Sequence, residues 1–366
     1  MTSVQRVLMA LVAPLVAVVA AMVITSVVVA VVGDSPIEFW EIIFSAPADR
    51  VYVNIVNQGA MIFLSALAAA IGFRMNLFNI GVEGQYTVGA YVGAVVAGAA
   101  VFSGMLNVFV ALVAAMLAGA VWAGIAGILK VTRGVSEVIS TIMLNAIGLT
   151  LVGYLLNTYG QAVGNGRRTS VIPVDSRLPG WAPFLERDGT IQTLVLLAVA
   201  AGISFSLILN RTRFGFDLRA TGFSEAAATA SGVNVGRMVV VSMLLSGTVA
   251  GLVWMPALFG AAHSYGSSFQ PGLGFLGIAV ALLGRNRPLG IMFGAFLFAF
   301  LNEQSNRLTL ETDISQDIVQ ITQGIIVLAI VVAYEVVRRS RVVAEQRSVS
   351  RRLEADRADP DAAVTA

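Results

Sequence analysis

Apolar runs recur along nearly the whole chain, at residues 7–32, 54–73, 85–102, 106–129, 138–156, 191–209, 238–260, 275–283, 289–301 and 318–334, with polar segments between them. A helix rises 1.5 Å per residue and needs roughly 20 apolar residues to cross the hydrocarbon core of a bilayer. The pattern therefore predicts an all-α polytopic membrane protein of about ten transmembrane helices. The runs at 275–283 and 289–301 are short for a simple span, which predicts tilted, broken or re-entrant segments. The first run is too long for the apolar core of a signal peptide and has only Arg6 before it, so it reads as a retained anchor helix.

Basic residues near the ends of these runs orient the bundle. With the amino terminus inside, Arg6, Arg74, Lys130, Arg133, Arg211, Arg213, Arg219, Arg237, Arg285, Arg287, Arg338, Arg339 and Arg341 face the cytoplasm, against Arg50, Arg167, Arg168, Arg177, Arg187 and Arg307 outside. That asymmetry places both termini in the cytoplasm. The loop 157–190 then lies outside and is large enough to cover the mouth of a pathway or receive a partner. Residues 33–50 are outside too, where PIEFWEIIFSA predicts a short interfacial helix with Phe39, Trp40, Ile43 and Phe44 toward the headgroups. Residues 1–337 form the membrane domain, and 338–366 a polar cytoplasmic tail whose last residues are expected to be disordered.

Composition agrees with this class: 57% of the residues are hydrophobic and 12% charged, and the mean hydropathy is +0.84. A net charge of +2, with the arginines in loops, gives no footprint for nucleic acid. Cys is absent and His263 is the only histidine, which leaves no disulfide and no Cys or His zinc site, and argues against haem and Ser-His chemistry. No catalytic or metal-ligating residue is assigned, and no cofactor. Lys130, the only lysine, lies in ILKVTRG without a preceding G-x-x-x-x-G, so the chain lacks a Walker A loop. Uphill transport would draw on an ion gradient or on a separate ATPase.

Polar residues within the apolar pattern carry the functional signal. Asn76, Asn79, Gly81, Glu83, Gly84 and Gln85 crowd FRMNLFNIGVEGQYTVGAY between the second and third runs. Irregular backbone at membrane depth survives only where protein or a wet cavity surrounds it, and a carboxyl there marks function; the alternative is a plain cytoplasmic turn. Glu137, Thr141 and Asn145 share one face of the fifth run, as pathway lining or as interhelical glue. Asn302, Glu303, Gln304 and Asn306 close the ninth run, and Gln316, Gln320 and Gln323 open the tenth, as an outer vestibule or a polar rim. Phe259, His263, Tyr265 and Phe269 surround the Gly-rich stretch AAHSYGSSFQPGLGF, with His263 as a boundary residue or a ligand, and Phe73, Phe78, Tyr86 and Tyr91 serve packing or recognition.

The polar segment 210–237, NRTRFGFDLRATGFSEAAATASGVNVGR, reads as a cytoplasmic docking element or as an ordinary solvated loop. Ser224 predicts an N-cap, Glu225 a favourable charge on the helix's positive end, and Gly232 a left-handed close, giving one short helix suited to act as a lever. Residues 54–156 and 238–334 are of similar length and start on opposite membrane faces, and a broken segment follows the first helix of each. Such pairing is the mark of an inverted repeat.

FRMNLFNIGVEGQYTVGAYVGA, SEVISTIMLNAIG, RATGFSEAAATASGVNVGR and GFLGIAVALLGRNRPLGI, in this order and spacing, resemble the permease subunits of bacterial ABC importers in the branched-chain amino acid and simple sugar class. Within it they are most similar to the nucleoside branch that works with basic-membrane-protein lipoproteins. NIGVEGQ and TIMLN mark that branch, while Ala227, Ala228 and Gly232 match the Ala-Ala-x-x-x-Gly core shared by importer permeases. Glu225 stands seven residues before Gly232, one more than in the usual Glu-Ala-Ala box.

The resemblance implies a type II-like ABC importer permease in a bacterial inner membrane, one of two, commonly unlike, permeases. It implies a partner ATPase that uses ATP and Mg, an external substrate-binding lipoprotein, and nucleosides as cargo. It also implies an ATPase-coupling role for Gly222, Ser224, Glu225, Ala227, Ala228 and Gly232. The pathway candidates are Asn79, Glu83, Gln85, Glu137, Asn145 and His263. The alternatives are a permease for simple sugars or branched-chain amino acids, and an ion-coupled secondary transporter using Glu83, Glu137 or Glu303.

Overall fold

The computed structural model describes residues 19–184, 189–312, 315, 317–329 and 332. Arg6, the beginning of the first run, Arg187, Gln316, most of the end of the tenth run, and the tail with Arg338, Arg339 and Arg341 lie outside the described residues. In chain order the helices are α1 (Val19–Val32), α2 (Pro36–Phe44), α3 (Asp49–Arg74), α4 (Val82–Ala99), α5 (Gly104–Arg133), α6 (Glu137–Tyr159), α7 (Val195–Arg211), α8 (Arg213–Phe223), α9 (Glu225–Ala230), α10 (Val235–Gly251), α11 (Met255–Ala257), α12 (Leu273–Leu283), α13 (Pro288–Glu311) and α14 (Asp317–Ala329). A small hairpin, β1 (Gln161–Val163) and β2 (Gly166–Arg168), follows α6 with Gln161 opposite Arg168.

The chain divides into two compact units, residues 1–42 with 311–366, and residues 43–310. In the first, Trp40 Nε1 donates to Ser26 Oγ at 2.9 Å and ties α2 back to α1. The second holds the candidate site and the segment 210–237. Among the described residues α3, α5, α6 and the run Val235–Ala262 are long and apolar enough to cross a membrane. The pair α7 and α8, bent by 73°, makes a fifth if it is one span, and α1, α12 and α14 are shorter apolar helices.

Two helices fill the centre. In their most apolar windows α3 buries 78% of its residues and the run Val235–Ala262, which α10 begins, 67%, whereas α6 buries 33% and turns Ile139, Ile142, Met143 and Ile147 outward. Lipid chains are as apolar as leucine, so helices in a membrane adhere by close backbone approach through small residues. On α10, Gly247 and Gly251 stand four apart against Ala115, Gly119 and Ala123 of α5. A Cβ on Gly247 would fall 2.6 Å from the Ala123 Cβ.

Irregular backbone interrupts this bundle twice. After Arg74 the chain turns, with Asn76 at φ 58°, and climbs back. Asn79 Nδ2 donates to Ser246 Oγ at 2.7 Å, and Ser246 Oγ donates to Ala68 O at 2.6 Å. The Asn79 backbone packs beside Gly72, where a Cβ would lie 3.3 Å from Asn79 Cβ, and its side chain reaches inward from there through Ser246 toward Ala68. The second break follows α10: turns at 252–254, α11, then a wide π turn at Leu258–Ala262. From there an irregular stretch runs from His263 (φ 54°) to Gly272 (φ 94°) before α12.

The segment 157–190 is more structured than a loop. Beyond its hairpin, Thr169 N–H donates to Tyr265 O, Ile172 N–H to His263 O and Leu178 N–H to Phe259 O, laying it along the second break. The helix that the ninth apolar run begins extends beyond residue 301, because α13 continues to Glu311. Its polar residues find partners: buried Gln304 donates to Ile43 O and Ser45 O, and Glu303 accepts from Asn54.

Candidate functional site

The two breaks meet. Glu83 opens α4 and is 2% exposed. One of its carboxyl oxygens accepts from Gly272 N–H at 2.7 Å and the other from Gly274 N–H at 2.8 Å. Those amides belong to the first turn of α12, where unpaired N–H groups and the helix dipole favour a carboxyl oxygen. A single side chain thus joins the amino ends of two helices that start inside the bundle. Any Cβ on Gly274 would lie 2.5 Å from Glu83 Cα, so only glycine lets the two ends come together.

Most of the other polar candidates complete this framework. Asn79 Oδ1 accepts from Gly81 N–H and Gln85 Nε2, while its Nδ2 donates to Gln85 Oε1 and Ser246 Oγ, which uses all four of its hydrogen-bonding positions. Asn145 Oδ1 accepts from Gly84 N–H and its Nδ2 donates to Ile80 O, both at 2.8 Å, clamping α6 onto the first break. Thr141 and Asn145 lie on the face α6 buries. Glu137, at the head of the same helix, forms a 2.6 Å ion pair with Lys130 across the turn from α5.

Around these posts stand five aromatic rings. Tyr86, Tyr91, Trp254 and Tyr265 are 9% exposed or less, and Phe269 is half-buried. Phe269 stacks on Tyr86 with centroids 5.3 Å apart and planes at 27°, meets Trp254 edge-on at 5.3 Å, and lies 4.6 Å from Tyr265. Tyr91 and Trp254 each meet Tyr265 edge-on. The Tyr86 hydroxyl donates to Gln270 O at 2.7 Å. Trp254 Nε1 is buried without an acceptor, and His263 Nδ1 is buried without a hydrogen-bond partner. Burial, and then the charge of Arg177, hold the His263 imidazole below its usual pKa. Sequence patterning singled out His263, Tyr265, Phe269, Tyr86 and Tyr91 but missed Trp254, because an aromatic residue inside an apolar run leaves no mark.

A second candidate surface lies at the opposite ends of these helices. The segment 210–237 carries two short helices rather than one, and each of three successive helices has its own N-cap. Thr212 Oγ1 accepts from Gly215 N–H at the head of α8, Ser224 Oγ from Ala227 N–H at α9, and Asn234 Oδ1 from Arg237 N–H at α10. Gly232, at φ 82°, closes α9 while Val233 N–H donates back to Ala228 O. Gly222 lets α8 lie on the end of α3, since a Cβ there would be 2.9 Å from Met75 Cα. Arg74 beside it donates twice to Asn286 O. Ala228 faces inward at 2% exposure, Ala227 and Glu225 face out, and Phe223 is 95% exposed.

Among the described residues no group of His, Cys, Asp or Glu is arranged to hold a metal ion.

Residues 51–333 match the family model described as branched-chain amino acid transport system / permease component. The guanosine ABC transporter permease protein NupP of Bacillus subtilis is 33% identical over 89% of this chain and 94% of its own length. The nucleoside ABC transporter permease protein NupB of Lactococcus lactis is 29% identical over 88% of this chain and 90% of its own. The glucose ABC transporter permease protein TsgB13 of Haloferax volcanii is 27% identical over 90% and 89%.

Proposed function

The chain belongs to the branched-chain amino acid transport system permease family, and from that membership we propose that it is the membrane-spanning subunit of an ATP-driven nucleoside importer. The observation that carries this reading is the likeness to a guanosine permease across nearly the whole of both chains. The chain is a multi-pass membrane protein and a transport subunit. The substrate moves by alternating access along the broken-helix centre, between α3, α4, α6 and α10.

A cytoplasmic ATPase using ATP and Mg grips α8 and α9. Exposed Phe223 supports this, as does the direct seat of α8 on the end of α3. A second permease pairs with this one across lipid-accessible helix faces, and an external binding protein docks over the segment 157–190. About ten spans, an inverted repeat, both termini in the cytoplasm and a bacterial inner membrane complete the reading. Two breaks joined by Glu83, each following a central helix, support the repeat.

Deletion of this chain should abolish uptake of radiolabelled purine or pyrimidine nucleosides while leaving ribose and leucine uptake intact. The likeness to a glucose permease favours a simple sugar as the second reading. Unchanged nucleoside uptake with loss of sugar uptake would select it.

A further inference from the structure

We propose that the aromatic cluster at the second break binds the base of the transported nucleoside, and that the Phe269 ring occupies the base's place in this conformation. The inference rests on the nucleoside reading and names the residues that meet the cargo. Tyr86 and Tyr91 are carried by α4, and Trp254, in the turn before α11, is held by its burial at 1% exposure. Phe269 instead lies in the irregular stretch between His263 and Gly272, half-buried, with Gly266 and Gly272 flanking it. It lies face to face with Tyr86 and edge-on to Trp254, the arrangement a flat heterocycle would take between the same two rings.

The unpartnered indole N–H of Trp254 points to the ligand's chemistry. Buried donors are nearly always paired, and an indole can only donate. Trp254 is 1% exposed and its Nε1 has no acceptor. Phe269 offers it none, whereas every nucleobase carries ring nitrogens or carbonyl oxygens that accept. A free pentose has hydroxyl groups but no flat face to fill the stack. The π turn just after Trp254 fits as well, since such turns recur at functional sites. Glu83 holds Gly272 and Gly274, so Phe269 can swing aside while the end of its segment stays fixed.

The test uses the assembled transporter in membrane vesicles, photolabelled with 8-azidoadenosine, with labelled peptides of this chain mapped by mass spectrometry. Label is expected on the peptides bearing Tyr86, Trp254 and Phe269, and excess unmodified nucleoside should remove it. Trp254→Phe keeps a ring and deletes the N–H, so the half-saturating concentration for labelling should rise about tenfold, the scale of one lost hydrogen bond. Phe269→Ala removes the competing ring and should lower it about fivefold, a gain that mere structural damage does not produce. Membrane abundance and ATPase activity of each variant report on folding, and the mapping on the unaltered protein stands if a variant fails to assemble. An unaltered transporter that carries ribose or leucine but no nucleoside overturns both the transport reading and this site. Nucleoside uptake with label mapping elsewhere on the chain, or with the half-saturating concentration unchanged in both variants, overturns the site alone.

Discussion

Glu83 and Asn79 show what a polar side chain does at the centre of an apolar bundle: each satisfies groups that the breaks in the helices leave open. In Glu83→Gln the amide keeps one acceptor oxygen and turns an NH2 toward the other glycine N–H. One hydrogen bond is lost and two donors face each other, at a cost of about 1–3 kcal/mol. Uptake should fall severalfold with membrane insertion unchanged, and wild-type uptake by both Glu83→Gln and Glu83→Ala would remove Glu83 from the mechanism. Asn79→Ala leaves Gly81 N–H and the Gln85 amide without their partners, and should destabilise the detergent-solubilised protein by about 2–4 kcal/mol, measured as a drop in thermal midpoint. These residues were legible in the sequence because polarity stands out in an apolar run. Their distant partners were not, since Ser246 is 167 positions from Asn79 and Gly272 is 189 from Glu83, and nothing local encodes such pairings. Trp254 shows the converse, since it matches the apolar pattern and its unsatisfied N–H exists only in three dimensions.

At the scale of elements, local chemistry reads well and long-range packing does not. Ser224, Glu225 and Gly232 announced α9 because caps act within one turn, and the same logic applied to Thr212 would have announced α8. The end of α13 was misplaced because Gln304 and its neighbours read as a rim, whereas distant carbonyls pair with them inside a continuous helix. The small-residue spacing of Gly247 and Gly251 was open to reading and marks the tightest approach of α10 to α5. Gly232→Val tests the lever. Its Cβ meets nothing within 4 Å, so the penalty is purely the left-handed backbone, about 1–2 kcal/mol. The variant should insert normally yet hydrolyse ATP without matching uptake, and fully coupled uptake would show that α9 is no lever. Gly222→Ala acts by contact instead, pushing α8 off the end of α3, and should weaken ATPase association in pull-down from membranes.

Across the whole molecule, the proposed orientation can be checked with single cysteines, because the chain has none of its own. A cysteine replacing exposed Ala227, a better site than buried Ala228, should crosslink to the ATPase and resist impermeant maleimide in intact cells. Labelling from outside would invert the topology. The long separations within the site also order its biogenesis. Ser246 follows Asn79 by 167 residues, and at about 5–20 residues per second a ribosome needs roughly 8–33 s to deliver it. Throughout that interval Asn79 lacks Ser246 and Glu83 lacks the Gly272 and Gly274 amides, in a segment too polar to rest in lipid. The nascent protein must therefore park this segment at the membrane surface or beside the insertion machinery, and draw it inward once α10 and α12 arrive. Chains stalled before residue 246 should leave a cysteine at Asn79 open to water-soluble reagents, and chains stalled well past residue 274 should hide it.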